Sequence, residues 1–128
     1  MIMHSLATEC CHVCDSSIKP LSVAEARHFL VQLNGWILQE EAKDIQQTFT
    51  FKNYYHTMAF VNAVAWIAHQ TNHHPDMEVS YKNCVVRYTT HAIGGLSKND
   101  FICAAKVDAL FATQQQNSST DPVGEMNM

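Results

Sequence analysis

The spacing of apolar positions changes several times along the chain, and each change marks an element. Val23, Ala26, Leu30 and Leu33 recur at helical spacing, preceded by Ser22-Val23-Ala24-Glu25 and followed by Asn34-Gly35. A serine with a glutamate at the third position after it is a capping box, in which each side chain takes up a backbone N–H that has no intrahelical partner. A first helix is therefore predicted here, stopped at the Asn-Gly pair. The period then shortens to two. Trp36-Ile37-Leu38 is one short strand, and in the next Ile45, Gln47, Phe49 and Phe51 alternate with Gln46, Thr48 and Thr50, with polar Glu41 to Asp44 between them. Alternate side chains of a strand point to opposite faces, so the pair reads as a hairpin with one apolar face.

Asn53 is a suitable cap for a second, longer helix, in which Thr57, Phe60, Val61, Val64, Ile67 and Ala68 form one stripe. The pattern ends in a histidine cluster, His69, His73 and His74, closed by Pro75. At i, i+4 spacing His69 and His73 are expected on one face of the helix end, before the proline makes further helix unfavourable. Met77, Val79 and Tyr81 alternate with Glu78 and Ser80, Lys82-Asn83 is a turn, and Val86 and Tyr88 alternate with Arg87, Thr89 and His91. This is a second hairpin. Gly94-Gly95 interrupts it, Ser97-Lys98-Asn99-Asp100 is a second capping box, and Ile102, Ala105, Val107, Ala109, Leu110 and Phe111 continue as a third helix.

The predicted order is α-β-β-α-β-β-α, an α+β fold. Two short hairpins and no required βαβ crossover give a four-stranded antiparallel sheet with three helices packed on one face. The domain is expected over residues 20–111. Residues 1–19 read as a flexible lead-in and 112–128, rich in Gln, Asn, Ser and Thr, as a disordered tail.

Composition narrows the function classes. With 128 residues and 47% apolar content, one globular domain is expected. The net charge is −4 and the eight Lys and Arg are scattered, which argues against a nucleic-acid or anionic-membrane surface. No apolar run is long enough to span a bilayer, and the N-terminus lacks the pattern of a signal peptide, so a cytoplasmic location is expected. Five cysteines (Cys10, Cys11, Cys14, Cys84 and Cys103) make a poor disulfide framework and read as free thiols.

The histidines admit three chemistries. His69 and His73 have the spacing of a helical zinc pair, but Gln70 stands where a zinc hydrolase needs its glutamate base. Cys11-His12-Val13-Cys14 is half of a zinc knuckle without a second pair. The expectation for metal is therefore none. Packing and dipole capping account for His69 more simply than for the adjacent His73 and His74, which with His91 at a strand end suggest convergence on a pocket. Imidazole suits proton transfer near neutral pH because both of its protonation states are accessible there. Asp100 by itself reads as the third-position member of its capping box, and Arg87 and Thr89 as solvent-facing.

Taken together, HxxxHHP over residues 69–75, then Tyr81, His91 and Asp100, with Thr90-His91 and Gly95-Leu96-Ser97, resemble the pterin-4a-carbinolamine dehydratase family over roughly residues 11–111. The resemblance implies a lyase that dehydrates 4a-hydroxytetrahydropterin to quinonoid dihydropterin, recycling the pterin of an aromatic amino-acid hydroxylase without a metal or organic cofactor. It implies a catalytic set of His73, His74, His91 and Asp100, with His73 and His91 moving protons, His74 orienting the pterin and Asp100 holding an imidazole. Substrate contacts carry over to His69, His74, Pro75, Met77 and Thr90. The sequence departs from the family at position 69, His where many members have Glu, and at Met77, where an aromatic residue commonly stands. The resemblance further implies a homodimer or homotetramer. An interaction role is a second implication, since animal members serve as dimerisation cofactors of a homeodomain transcription factor.

Overall fold

The computed structural model describes residues 6–12 and 17–118. The helices are α1 (Val23–Leu30), α2 (Tyr54–Thr71) and α3 (Lys98–Ser118), and the strands are β1 (Ile37–Gln39), β2 (Asp44–Thr50), β3 (Asp76–Val79) and β4 (Asn83–Tyr88). The order is the predicted α-β-β-α-β-β-α, and all strand pairs are antiparallel in the sequence β1-β2-β4-β3. The two hairpins thus meet along β2 and β4, and α2 carries the chain from the centre of the sheet to its β3 edge.

Alternation places the core. Ile45 and Phe49 of β2 and Cys84, Val86 and Tyr88 of β4 are buried on one face, against Ala26 of α1, Phe60 and Val64 of α2, and Phe101, Ile102, Ala104 and Val107 of α3. Phe49 and Phe51 meet Phe60 and Phe111 at ring-centroid distances of 4.8–5.6 Å, so aromatic packing closes one end of this layer. Gln47 interrupts the apolar run of β2. Its amide donates to the Asn34 carbonyl and lies so close to Gly35 that a Cβ there would meet it at 2.8 Å; Gly35 also sits at φ +78°, where only glycine is at ease.

Ser22 and Glu25 form the expected reciprocal cap, and Asn53 accepts from the His56 N–H at 3.0 Å to start α2. The ends of the first and third helices differ from the sequence reading. The first helix ends at Leu30, and residues up to Leu33 continue as turns. The third runs to Ser118 instead of stopping near Phe111. Glutamine is a good helix former and no proline or glycine intervenes, so the polar segment prolongs the helix even after the apolar stripe ends. Residues 6–12 pack against the domain. Leu6 is buried in the core cluster, Lys106 donates to the Ala7 carbonyl at 2.7 Å, and Lys98 pairs with Glu9 at 2.7 Å. Residues 1–5, 13–16 and 119–128, which include Cys14 and most of the expected tail, lie outside the described residues. No helix among the described residues is long and apolar enough to cross a membrane.

Candidate active site

The helical reading of the histidine cluster fails at Asn72. α2 ends at Thr71, and Asn72 takes a left-handed conformation (φ 53°), with its N–H and that of His73 directed at the Ala68 carbonyl. Asparagine tolerates this conformation, so it serves as a helix stop in place of glycine. The reversal separates the two residues expected on one face. His69 stays on the exposed helix surface with its ring 5.3 Å from that of Trp66, while His73 turns inward toward α3.

Inward of His73 lies Asp100, fully buried, with Oδ1 at 2.6 Å from His73 Nε2. Its other oxygen, Oδ2, accepts from the Ser97 N–H at 2.9 Å and the Thr90 hydroxyl at 2.8 Å. Thr90 has given its only hydroxyl hydrogen to Asp100, so the 2.7 Å contact between Thr90 and Ser97 has Ser97 as donor. The second capping box is therefore half formed. Asp100 holds the Ser97 backbone as expected, but the Ser97 hydroxyl leaves the helix to join the network around the carboxylate. A buried carboxylate is expensive unless hydrogen-bonded, and here three donors converge on it.

Tyr88, at the end of β4, lies parallel to the His73 ring at 8° with centroids 5.9 Å apart. Its buried hydroxyl has no hydrogen-bond partner among the described residues, and burial, then the neighbouring Cys103, Asp100 and Cys11, keep it protonated well above the usual tyrosine range. The His73 imidazole feels opposing influences. Burial, the largest, weakens its hold on a proton, but the hydrogen bond and charge of Asp100, together with Cys11, outweigh it and raise the pKa above 6.5.

His73 forms part of one wall of a cavity of about 220 Å³, with Tyr88 and Asp100 buried behind it. The α2–β3 junction contributes Asn72, His73 and His74, and the end of β4 contributes Thr89, Thr90, His91 and Ala92. The third side comes from His12 and Asn99. His73, His74 and His91 thus reach one space, together with Thr90. His69, Pro75 and Met77 are not among the residues lining it; Met77 packs partly buried against the core instead. His91 follows the Thr90–Gly95 bridge as the first residue of a short 3-10 turn, closed by Gly94 in a left-handed conformation. Close packing fixes that turn, since a Cβ on Gly95 would meet Pro20 at 2.9 Å.

Sequence reasoning missed His12 and Asn99. The Asn99 Oδ1 accepts from the His12 N–H at 2.9 Å and its Nδ2 donates to the His12 carbonyl, a paired arrangement that brings the lead-in to the mouth of the cavity. No local spacing announces a contact between residues this far apart. Thr89, expected to face solvent, instead donates to the Lys43 carbonyl at 2.6 Å and lines the cavity, and Arg87 reaches Gln46 across the sheet at 3.2 Å. Among the described residues no group of three or more His, Cys, Asp or Glu is arranged to hold a metal ion.

Known proteins resemble this chain over the same region. A Nitrosospira multiformis protein, provisionally named pterin-4-alpha-carbinolamine dehydratase, is 58% identical over 106 residues, covering 83% of this chain and 92% of its own length. The crystal structure of a transcriptional coactivator/pterin dehydratase from Brucella melitensis superposes with a TM-score of 0.68 at 27% identity, over 72% of this chain and 98% of that one. A pterin dehydratase-like protein, identified as a RuBisCO assembly factor in the alpha-carboxysome, matches with a TM-score of 0.54 at 25% identity, over 61% of this chain and 90% of its own. The family pattern described as pterin 4 alpha carbinolamine dehydratase spans residues 19–110, from just before α1 to well into α3, and with that span the chain belongs to the pterin-4-alpha-carbinolamine dehydratase family.

Proposed function

We propose that this chain dehydrates 4a-hydroxytetrahydropterin to quinonoid dihydropterin and water by histidine acid and base catalysis. The observation that carries the reading is the buried Asp100 carboxylate bonded to His73 at the wall of a cavity that His74 and His91 also line. The reaction breaks the C4a–O and N5–H bonds and forms a C4a=N5 double bond. A base must therefore take the N5 proton while an acid protonates the departing hydroxyl.

Asp100 accepts on both oxygens, so His73 carries its hydrogen on Nε2 and exchanges protons through Nδ1. When cationic, His73 offers an acid at Nδ1; when neutral, a base. Its raised pKa favours the acid, which leaves His91 to accept the N5 proton, with His74 orienting the pterin. Asp100 fixes the tautomer and stabilises the imidazolium, as a buried carboxylate does for a catalytic histidine elsewhere. Thr90 acts on the substrate side of this network and also holds Asp100. We further infer that an aromatic amino-acid hydroxylase supplies the carbinolamine, that the chain works in the cytoplasm as a homodimer or homotetramer, and that no metal takes part.

A second reading, an interaction module without required catalysis, is favoured by the names of the two similar structures, one a coactivator and one an assembly factor. One assay separates the two. Chemically made carbinolamine is mixed with the chain alone after exhaustive chelation, and quinonoid dihydropterin is followed by its absorbance. Acceleration supports the dehydratase. A folded chain that leaves the spontaneous rate unchanged supports the interaction module, and acceleration that appears only on adding zinc restores the metal reading.

A further inference from the structure

Four of the chain's cysteines are described, and all four are free thiols, yet they are not equivalent. Cys84 is buried on the core face of β4, where burial pushes its thiol up to about 11, an inert position. Cys11 and Cys103 instead face each other with their sulfurs 3.5 Å apart, although they come from opposite ends of the chain. The sequence pairs Cys11 with Cys14 as half a zinc knuckle, whereas the fold pairs it with Cys103.

The two partners are held differently. Cys103 is fully buried in α3, one turn beyond Asp100, and its sulfur also contacts Thr71 Oγ1 at 3.6 Å, under the turn that delivers His73. Cys11 is half-buried just after a 3-10 turn at Leu6–Thr8, among residues 9–12 that form no helix or strand, and is anchored next door by the Asn99–His12 hydrogen bonds. A segment outside regular secondary structure can yield by the ångström or so that separates this contact from a bonded pair, while the helix supplies a fixed target.

We propose that Cys11 and Cys103 form a redox-modification site, which a peroxide closes into a disulfide that fixes the lead-in against α3 beside the His73–Asp100 pair. Cys11 is the attacking thiol. Its hydrogen bond with Cys103 lowers its pKa to about 7 against the effect of burial, assisted by His73 and Lys106, and the same hydrogen bond, with burial, pushes Cys103 far up. The Cys11 thiolate attacks hydrogen peroxide, forming an S–O bond while the O–O bond breaks, and the released hydroxide takes a proton to become water. The Cys103 sulfur then displaces the sulfenic hydroxyl, which leaves as a second water with the thiol's proton. Two thiols and one peroxide give one disulfide and two waters. Because His12 follows Cys11 and lines the cavity, the bond also fixes that wall.

The test uses the full chain as a Cys10→Ser, Cys14→Ser double variant, so that Cys11 is the only thiol in the tryptic peptide 1–27 and Cys103 the only one in peptide 99–106. After stoichiometric peroxide, non-reducing mass spectrometry should find these two peptides joined, and dithiothreitol should separate them. The oxidised chain should melt higher by about 5–10 °C, since the link closes a long loop, and amide exchange over residues 6–12 should slow. A further Cys11→Ser change should abolish all three effects. The proposal is overturned if Cys103 stays reduced while Cys11 proceeds to sulfinic acid, or if, in the unsubstituted chain, fragmentation maps the Cys11 bond to Cys10 or Cys14. None of these outcomes depends on dehydratase activity.

Discussion

The N-termini of α1 and α3 carry the same local signal, a serine followed at the third position by an acid, and the fold uses the two in opposite ways. At α1 the signal closes on itself. Glu25 accepts from the Ser22 N–H at 2.9 Å and Ser22 Oγ accepts from the Glu25 N–H at 3.1 Å, in solvent, and nothing else depends on either side chain. At α3 the carboxylate belongs to a fully buried Asp100, which keeps the bond to the serine N–H but spends its remaining capacity on Thr90 and His73. A one-carbon-shorter acid in a buried setting turns a helix cap into a tautomer clamp. Burial decides between the two uses, because a solvated carboxylate has water for its spare lone pairs and a buried one must find donors.

The pH response separates the two sites. Glu25 is held below its ordinary 4.5, chiefly by the Ser22 N–H, so its contribution to stability is complete above pH 4.5 and is lost as pH falls through the lowered value. His73 is held above 6.5, with Asp100 outweighing burial, so its contribution is complete below pH 6.5 and is lost as pH rises through the raised value. One cap weakens in acid, the other pair toward alkaline pH.

The comparison breaks most directly at His73. His73→Ala removes the proton-exchanging group while leaving the α3 start intact, and kcat should fall by about 10²- to 10⁴-fold, the usual contribution of a general acid or base. Steady-state rates on carbinolamine, with a circular-dichroism melt as control, measure it. A variant with near-normal kcat and a lower melting point would make His73 a packing residue, and the two capping boxes would differ only in depth.

Asp100→Asn is the next largest change and the sharper one. Asn can present its oxygen to Ser97 and Thr90, which keeps the cap, but its NH₂ then faces His73 Nε2 and forces that nitrogen to accept. The neutral imidazole then carries its hydrogen on Nδ1 instead of Nε2, and the imidazolium that serves as the acid loses its counter-charge. We expect kcat to fall at least about tenfold, within the range for acid–base groups. The fall in melting temperature as pH rises through neutrality should also flatten. A variant that keeps the wild-type pH dependence of melting would show that Asp100 does not set the proton affinity of His73. His74→Ala should be milder. His74 lines the cavity without joining the Asp100 network, so its loss should raise KM several-fold with little change in kcat, as for an interaction felt equally by ground and transition states.

These effects also mark what the sequence could tell. Both hairpins, the three helices and the two acidic caps were legible because each rests on residues close together in the chain, whose period or capping chemistry is local. The family resemblance added the set His73, His74, His91 and Asp100, which the fold brings to one place. What escaped was non-local or conformational. Asn72 in a left-handed conformation separates His69 from His73, and helical spacing cannot foresee it. His12 reaches the cavity through Asn99, and Cys11 meets Cys103, by contacts across nearly the whole chain. The helical run from Gln114 to Ser118 has no apolar stripe to announce it.

The smallest expected effect completes the comparison. Ser22→Ala removes one side of the α1 cap, leaving the Glu25 N–H to water, and an exposed Ser-to-Ala cap change should lower the melting temperature by only about 2–6 °C. Catalysis should be untouched, since neither Ser22 nor Glu25 lines the cavity or touches Asp100. The corresponding change at α3, Ser97→Ala, removes no cap hydroxyl, because that hydroxyl already donates to Thr90. It leaves the Ser97 N–H bond to Asp100 in place but frees the Thr90 side chain to turn, and with it the Asp100 oxygen that Thr90 holds. The two alanine variants should therefore sort oppositely: Ser22→Ala lowers the melting point at constant kcat, and Ser97→Ala lowers kcat by more than its effect on melting would suggest. Equal losses of stability with no loss of rate in either would mean that both boxes are merely caps, and that the difference in burial has no catalytic meaning.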